Sequence, residues 1–417
     1  MSVVHIVGAG LAGLAAAVRL AGAGRQIALY EAANHAGGRC RSYVDATLGK
    51  RVDNGNHLLF RGNREAFGYL KTIGAVDRFL CPNEPAFPFV DLESGDRWVV
   101  RPSGLVPWWV FSSSRRIPGT KPADYLAALR LFVAKRDATI AETFADGGLL
   151  YRYFWEPLAV ASLNTSAERG AVRLLLPVVL RIFGKGSEAA RPMIARDGLS
   201  ESFVDPALNY LQQKGGQLHF THRLRAVAFA DGRVSGLDFG TRRVVFGEKD
   251  RLILAVPPAN AGDLLPGLAT PKEAEPILNA HFDLPEVPSW PHEAPFVGVI
   301  GGLAQWVFLR GRIASVTVSA AADHIDKTPE ELVPKLWEDV AQALQVTSSS
   351  PPPCRILKER RATFSQTPAA LLLRPKTRTQ YANLFLAGDW TDTGLPATIE
   401  GAIFSGHRAA KAAMQLS

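Results

Sequence analysis

The sequence predicts an α/β protein of two domains, and three observations carry that expectation. At 417 residues the chain exceeds the size at which one hydrophobic core keeps growing. Its composition, 47% hydrophobic and 21% charged with 37 glycines, is that of a folded α/β chain and excludes disorder. The stretch "HIVGAGLAGLAAAVRLAGAGRQIALYE", residues 5–31, reads as strand, glycine turn, helix and strand.

Taken in order, residues 3–7, 11–23 and 26–30 form the strand, helix and strand of a Rossmann-type βαβ unit. Gly8, Gly10 and Gly13 occupy the G-x-G-x-x-G positions. Gly8 permits the tight turn, Gly10 lets backbone approach a pyrophosphate, and Gly13 lets the helix pack closely. The helix N-terminus offers unpaired N–H groups and a positive dipole to phosphates. Glu31, closing the second strand, can accept from ribose hydroxyls and would repel a 2′-phosphate. Beyond residue 51 the pattern becomes mixed, and Pro82, Pro85, Pro88 and Pro102 mark where a second region begins. Helical periodicity dominates residues 125–183. Residues 196–239 read as a helix followed by strands around an Asp-Gly turn, and 251–258 as a buried strand halted by two prolines. Strand-like patterns return at 296–309 and 314–320, whereas 271–295 is linker-like. The chain closes with a strand at 383–388 and a helix from about residue 398.

The dinucleotide that fits is FAD. Gly37, Gly38 and Arg39 follow Glu31 closely, adding a glycine pair and a cation able to face pyrophosphate, for which a simple nicotinamide unit has no use. Gly388 and Asp389 directly follow a strand, where a carboxylate can bond polyol hydroxyls. A helix starting near Ile399 would favour negative charge at the N1/O2 edge of a reduced isoalloxazine.

The formal charge of +8 suits an anionic partner or a plain solvated basic surface. Its Lys and Arg residues form no stripe with interleaved aromatics, so no nucleic-acid partner is expected. Cys40, Cys81 and Cys354 are scattered, so neither a disulfide framework nor a metal site is expected, and a reducing cytoplasm fits. The N-terminus has no signal-peptide pattern, and the longest uncharged run, 294–309, falls short of the ~20 residues of a membrane span.

The stretches "AGGRCRS", "VDNGNHLLF", "FWEPLAVASLNT", "RDGLSESFVDPALNYL", "GLAQWVFLRGRIASVTVSA" and "AGDWTDTGLPATIEGAI" together resemble the FAD-dependent amine oxidase and phytoene desaturase superfamily. The likeness is closer to one branch, the hydroxysqualene dehydroxylases of hopanoid and squalene synthesis, also called squalene-associated FAD-dependent desaturases. It implies a Rossmann-type FAD-binding domain of the GR2/amine oxidase kind and a second α+β substrate domain of mixed sheet plus helices. The expected division gives 1–75, 192–265 and 370–417 to FAD, and 76–191 and 266–369 to substrate. Carried over by position, the resemblance puts Gly8, Gly10, Ala12, Gly13, Glu31, Gly38, Arg39, Gly388, Asp389 and Ile399 on FAD. It sets Gly55, Asn56 and His57 beside the isoalloxazine and the main chain of Val227 on adenine. The lysine and aromatic pair common in amine oxidases are not assignable here, which weighs against amine oxidation.

The reaction the resemblance implies is reductive: hydroxysqualene loses its allylic hydroxyl, and reduced flavin delivers hydride to the allylic cation, giving squalene and water. A long apolar isoprenoid then needs a dry tunnel, and the departing hydroxide needs a proton. Trp108, Trp109, Phe111, Phe154, Trp155, Leu158, Leu163, Phe183, Trp306 and Phe308 are candidate walls. His57 is the first candidate for the proton, because histidine titrates near neutrality, and Asp53 and Glu156 follow. No second dinucleotide motif is visible, so NAD(P)H visiting the flavin, or a protein reductant, is the expected electron source. Residues 103–121 combine Trp108, Trp109 and Phe111 with Arg115, Arg116 and Lys121. They read either as a tunnel wall beside a basic loop or as a peripheral contact at the inner face of the cytoplasmic membrane. Two other readings stay open: a carotenoid-type desaturase, which removes hydride, and a flavin-free prenyl-lipid binder resembling the GDP dissociation inhibitors. Oligomeric state is not legible.

Overall fold

Parallel strands covered on both faces are built from near-continuous apolar runs, and "VVHIV", "QIALY" and "RLIL" are three such runs. In the computed structural model, which describes residues 2–104, 108–348 and 350–415, they lie side by side as Val3–Val7, Gln26–Tyr30 and Arg251–Leu254. Gln217–His219 and Leu384–Leu386 add the two outer strands of a five-stranded sheet, parallel throughout. Both ends of the chain and its middle therefore contribute to one sheet. Helices Leu11–Gly22 and Ile399–Met414 pack on it and on each other. Their approach is so close that a Cβ on Gly406 would lie 2.1 Å from the Ala12 carbonyl oxygen. Thr398 caps the second helix, its side chain accepting from the Gly401 N–H.

A seven-stranded mixed sheet forms the other half. Its spatial order is Cys354–Phe364, Ala274–Asp283, Ile313–Val318, Trp306–Arg310, Phe296–Ile300, Phe87–Asp91 and Arg97–Val100. The linker-like reading of 271–295 is thus corrected, because Ala274–Asp283 is a ten-residue strand paired on both sides. Proline density misled the reading; the ladder accommodates Pro276 at an irregularity of pairing between Glu275 and Ile277. One face of this sheet, carrying Leu278, Ala280 and Phe282, packs under helix Pro329–Leu344.

The helical middle is real but broken. Residues 125–183 hold short helices, among them Arg130–Val133, Ile140–Thr143, Glu156–Leu163 and Leu175–Ile182. The left-handed conformations of Gly147, Gly148 and Asn164 interrupt them. The Asp-Gly turn forms as expected: Asp231 and Gly232 both have positive φ and join Ala226–Ala230 to Arg233–Asp238. The run at 296–309 divides at Gly301-Gly302 into two strands. Among the described residues, no helix is long and apolar enough to cross a membrane.

Candidate active site

The glycine turn separates into positions the fold needs and one that is left open. A Cβ on Gly8 would come within 2.3 Å of the Ala255 oxygen, and one on Gly13 within 1.8 Å of the Gly8 oxygen. Above Gly10 nothing lies within 4 Å of the Cβ position. Gly10 bridges Gly37 across the second glycine turn, and a Cβ on Gly38 would meet the Gly10 Cα at 3.4 Å. The result is a bare backbone cradle at the start of helix Leu11–Gly22, whose N-terminus has no side-chain cap and no acid in its first turn. That is a site suited to phosphate. Glu31 Oε2 accepts from the Ala9 N–H at 2.8 Å and Oε1 from Ala33 at 2.9 Å, so Glu31 also ties the turn to the second strand.

From this cradle the chain's two ends meet. Arg39 Nη2 donates to both Asp389 oxygens at 2.9 and 2.8 Å, and Nη1 donates to the Ala362 oxygen. The Asp389 charge holds the guanidinium pKa above its ordinary value. The loop 389–395 is stapled by buried Arg374, which donates to the oxygens of Leu395 at 2.9 Å and Asp389 at 3.0 Å and to Thr393 Oγ1 at 3.1 Å. The Trp390 indole donates to the Val256 oxygen at 2.9 Å, and the Gly388 N–H to Ser405 Oγ at 2.8 Å. Ile399 begins the C-terminal helix. Its neighbour Glu400, buried, accepts from the Ala66 N–H at 2.9 Å and from Arg181 at 2.6 Å. Val227 lies on Ala226–Ala230, an edge strand of a three-stranded sheet.

Residues 53–57 rest on the large sheet. On its second face Asn279 stands opposite Thr317, and His281 opposite Ser315. Asn56 Nδ2 donates to Thr317 Oγ1 at 3.0 Å, Asn279 Nδ2 to the Asn54 oxygen at 3.3 Å, and His281 bonds the Asp53 oxygen through Nε2 at 3.0 Å. Gly55 fits against Asn279, whose amide would lie 3.4 Å from an added Cβ. A cavity of about 260 Å³ opens beside this segment, lined by Asp53, Asn56, His57, Ile194, Phe308 and Arg310 among others.

The three proton candidates fare differently. His57 lines the cavity as an exposed side chain, where the neighbouring protein and Arg39 press its pKa downward against the pull of Asp53 while solvent access opposes that lowering. Asp53 also lines the cavity, yet its carboxylate accepts from Ser42 Oγ at 2.6 Å, from the Leu199 N–H at 3.0 Å and from Arg310. It is an anchor for three segments. Glu156 has a carboxyl raised by burial and then by Glu168, but it is not among the residues that line the cavity.

The same sheet face turns aromatic away from residues 53–57. Trp306 and Phe308 stand opposite Thr317 and Ser315; Phe296, Phe89 and Trp98 follow on the next strands. Trp109, Trp155, Leu158 and Trp306 all belong to the cluster on this side, and Ile194 and Phe308 join it to the cavity. Trp155 is buried in it, stacked on Phe144 with centroids 4.6 Å apart. Of the expected wall residues, Phe308 lines the cavity itself, whereas Trp108, Trp109, Trp155, Leu158 and Trp306 do not. For Trp108 only the wall reading is corrected: it is 68% exposed, because the inward position of its short helix is taken by Val110. Its neighbours 105–107 lie outside the described residues.

Sequence reasoning passed over His281, Asn279, Ser315, Thr317, Arg310 and Arg374. A signal existed for the first four, since polar residues two apart in an apolar strand mark one face.

The model of the flavin containing amine oxidoreductase family matches residues 11–414. Cyclohexylamine oxidase from Brevibacterium oxydans IH-35A shares the fold, with a TM-score of 0.72 at 14% identity over 100% of this chain and 99% of its own. Hydroxysqualene dehydroxylase from Rhodopseudomonas palustris is 45% identical over 98% of this chain and 97% of its own length. The protein of that name from Zymomonas mobilis is 43% identical over 100% of both. The chain therefore belongs to the flavin containing amine oxidoreductases and, within them, to the hydroxysqualene dehydroxylases. Its cofactor is a flavin.

Proposed function

We propose that this protein holds FAD and reductively removes the hydroxyl of hydroxysqualene, releasing squalene and water. The observation that carries this reading is the graded face of the large sheet, polar beneath residues 53–57 and aromatic beyond them. A substrate with one hydroxyl on a long hydrocarbon chain has the same gradient.

In this reading Gly10 and Gly38 cradle the pyrophosphate with Arg39, Glu31 takes the ribose, Val227 the adenine, and Gly388, Asp389 and Ile399 the remaining polyol and ring edge. Residues 1–75, 192–265 and 370–417 make the cofactor half, and 76–191 with 266–369 the substrate half. When bound, the reduced flavin supplies a hydride. Asn56, fixed by Thr317, orients the reacting end. His57, at the cavity wall, offers a ring N–H to the hydroxyl. It positions the leaving group by hydrogen bonding, and the proton that turns the departing hydroxide into water is drawn from solvent at the mouth of the cavity. The aromatic face excludes water and turns π-electron density toward the allylic cation. The cavity is smaller than the ~300–1,000 Å³ of most ligand sites, so it takes the reacting end while the aromatic cluster parts for the tail. NAD(P)H or a protein reductant reloads the flavin from outside.

The test is anaerobic mixing of photoreduced protein with hydroxysqualene. Squalene formed in step with flavin reoxidation is expected. A flavin that stays reduced with no squalene formed overturns the reading, and net desaturation of an isoprenoid would place the protein with the carotenoid-type enzymes. Chromatography of the acid-released cofactor checks for FAD.

A further inference from the structure

One stretch of the surface is unusual in composition and in how firmly it is held. Trp108, Phe111, Leu126, Leu129, Phe132 and Val133 are large apolar side chains, each at least 60% exposed. The last four recur at intervals of three and four along Pro122–Leu129 and Arg130–Val133, which sets them in one stripe. Their exposure does not come from a frayed loop. Trp109 and Tyr125 meet edge to face at 5.3 Å, the Tyr125 hydroxyl accepts from the Ile117 N–H at 3.1 Å, and Arg116 donates to the Thr120 oxygen at 2.8 Å and the Val110 oxygen at 3.2 Å. Val110, Ile117 and Leu131 point inward and are buried. The unit is pinned from within and apolar without.

The charges of this stretch are mostly positive. Residues 108–136 contain Arg115, Arg116, Lys121, Arg130, Lys135 and Arg136 against the single carboxylate of Asp124. Arg130 is paired with Asp146. Arg115, Lys121, Lys135 and Arg136 form no ion pair among the described residues.

We propose that residues 108–136 form a monotopic docking surface for an anionic phospholipid bilayer, the apolar stripe entering the acyl boundary and the cations lying at the head groups. A bilayer offers both complements at once, apolar depth and negative surface, along the whole stripe. A second copy of the chain would bring like charges together on this face. The inner side of the same unit carries Trp109 and Tyr125 into the aromatic cluster that reaches the cavity through Ile194 and Phe308. Lipid contact there would bring an apolar substrate to the cluster without passage through water. The apolar stripe and its cations would meet a bilayer whatever the reaction.

Flotation of the purified flavin-bound protein with vesicles tests it, comparing phosphatidylglycerol mixed with phosphatidylcholine against phosphatidylcholine alone. The expected result is binding to the anionic vesicles that weakens in high salt. The double variant Leu129→Asn/Phe132→Asn should bind on the order of tenfold or more weakly, with unchanged flavin content, melting temperature and turnover of detergent-dispersed substrate. Absence of flotation would overturn the proposal, as would equal binding by wild type and variant, or equal binding to both vesicle types. A concentration-dependent dimer dispersed by the double variant would reassign the face to a second copy.

Discussion

Arg39 and Asp389 stand 350 positions apart in sequence, yet one guanidinium nitrogen is held between both oxygens of the carboxylate. This clasp joins the second glycine turn to the loop that precedes the C-terminal helix, so the site proposed for the flavin would be closed by a contact between two distant parts of the chain. Arg39→Met should leave the buried Asp389 carboxylate uncompensated and cost about 2–3 kcal/mol, read as a tenfold or greater loss of flavin retention on gel filtration. Undiminished flavin content in Arg39→Met would show that the clasp is incidental.

The glycines of the first turn should part company under mutation. Gly10→Val projects into open space and should abolish flavin retention while leaving the thermal unfolding of flavin-free protein near that of the wild type. Gly13→Ala drives a methyl against the Gly8 carbonyl, and here the fold itself should suffer. Circular dichroism melts beside flavin absorbance separate the two. Equal melting losses in both variants would contradict the open cradle.

Arg374 donates to main-chain and hydroxyl oxygens of loop 389–395 and lies over the Phe364 ring at 5.3 Å, and burial pushes its guanidinium down to about 10. It remains charged at neutral pH. Arg374→Met removes the donors from a set of enclosed carbonyls and should lower stability by about 3–5 kcal/mol. Chemical denaturation measures this, and a midpoint within error of wild type would mean that water replaces the guanidinium.

Acid should unfold the protein earlier than its carboxylates alone require. Burial holds His5 and His281 at about 4, below the 6.5 of an unfolded histidine. Between those values the unfolded chain takes up protons that the folded chain refuses. Stability is thus complete above the unfolded value and falls as pH drops through the window, by about 3 kcal/mol for each ring. The melting temperature should decline from pH 6.5 toward 4, and His281→Gln should shallow the slope. A level profile would show that the rings titrate normally.

Two cavity residues should give opposite phenotypes. His57→Phe is expected to lower kcat by about 10²-fold with flavin and melting temperature retained, because it removes one hydrogen bond to the leaving group. Asp53→Asn should act chiefly on stability, since Arg310, Ser42 and Leu199 all converge on that carboxylate. The reverse pattern would restore Asp53 as the proton donor.

What the sequence disclosed is what neighbours in sequence decide. The turn at 8–13 was readable because tight backbone geometry restricts residue choice locally. The Asp231-Gly232 hairpin and the helix at Ile399 were readable for the same reason. The bed for residues 53–57 was not. Asn279 and His281 acquire meaning only beside Thr317 and Ser315, and that pairing joins strands more than thirty residues apart. Pro276 hid the strand further. Trp108 was misplaced because adjacent aromatics in a short helix face opposite ways, and only packing decides which one is inside.

The five-stranded sheet takes its outer strand from Leu384–Leu386. On the ribosome, nearly all of the larger sheet and its aromatic cluster emerge before that strand exists. Translation therefore passes through a stage in which sticky surface is made but the nucleotide half is incomplete. A nascent chain arrested short of residue 384 lacks the strand that closes one edge of the parallel sheet.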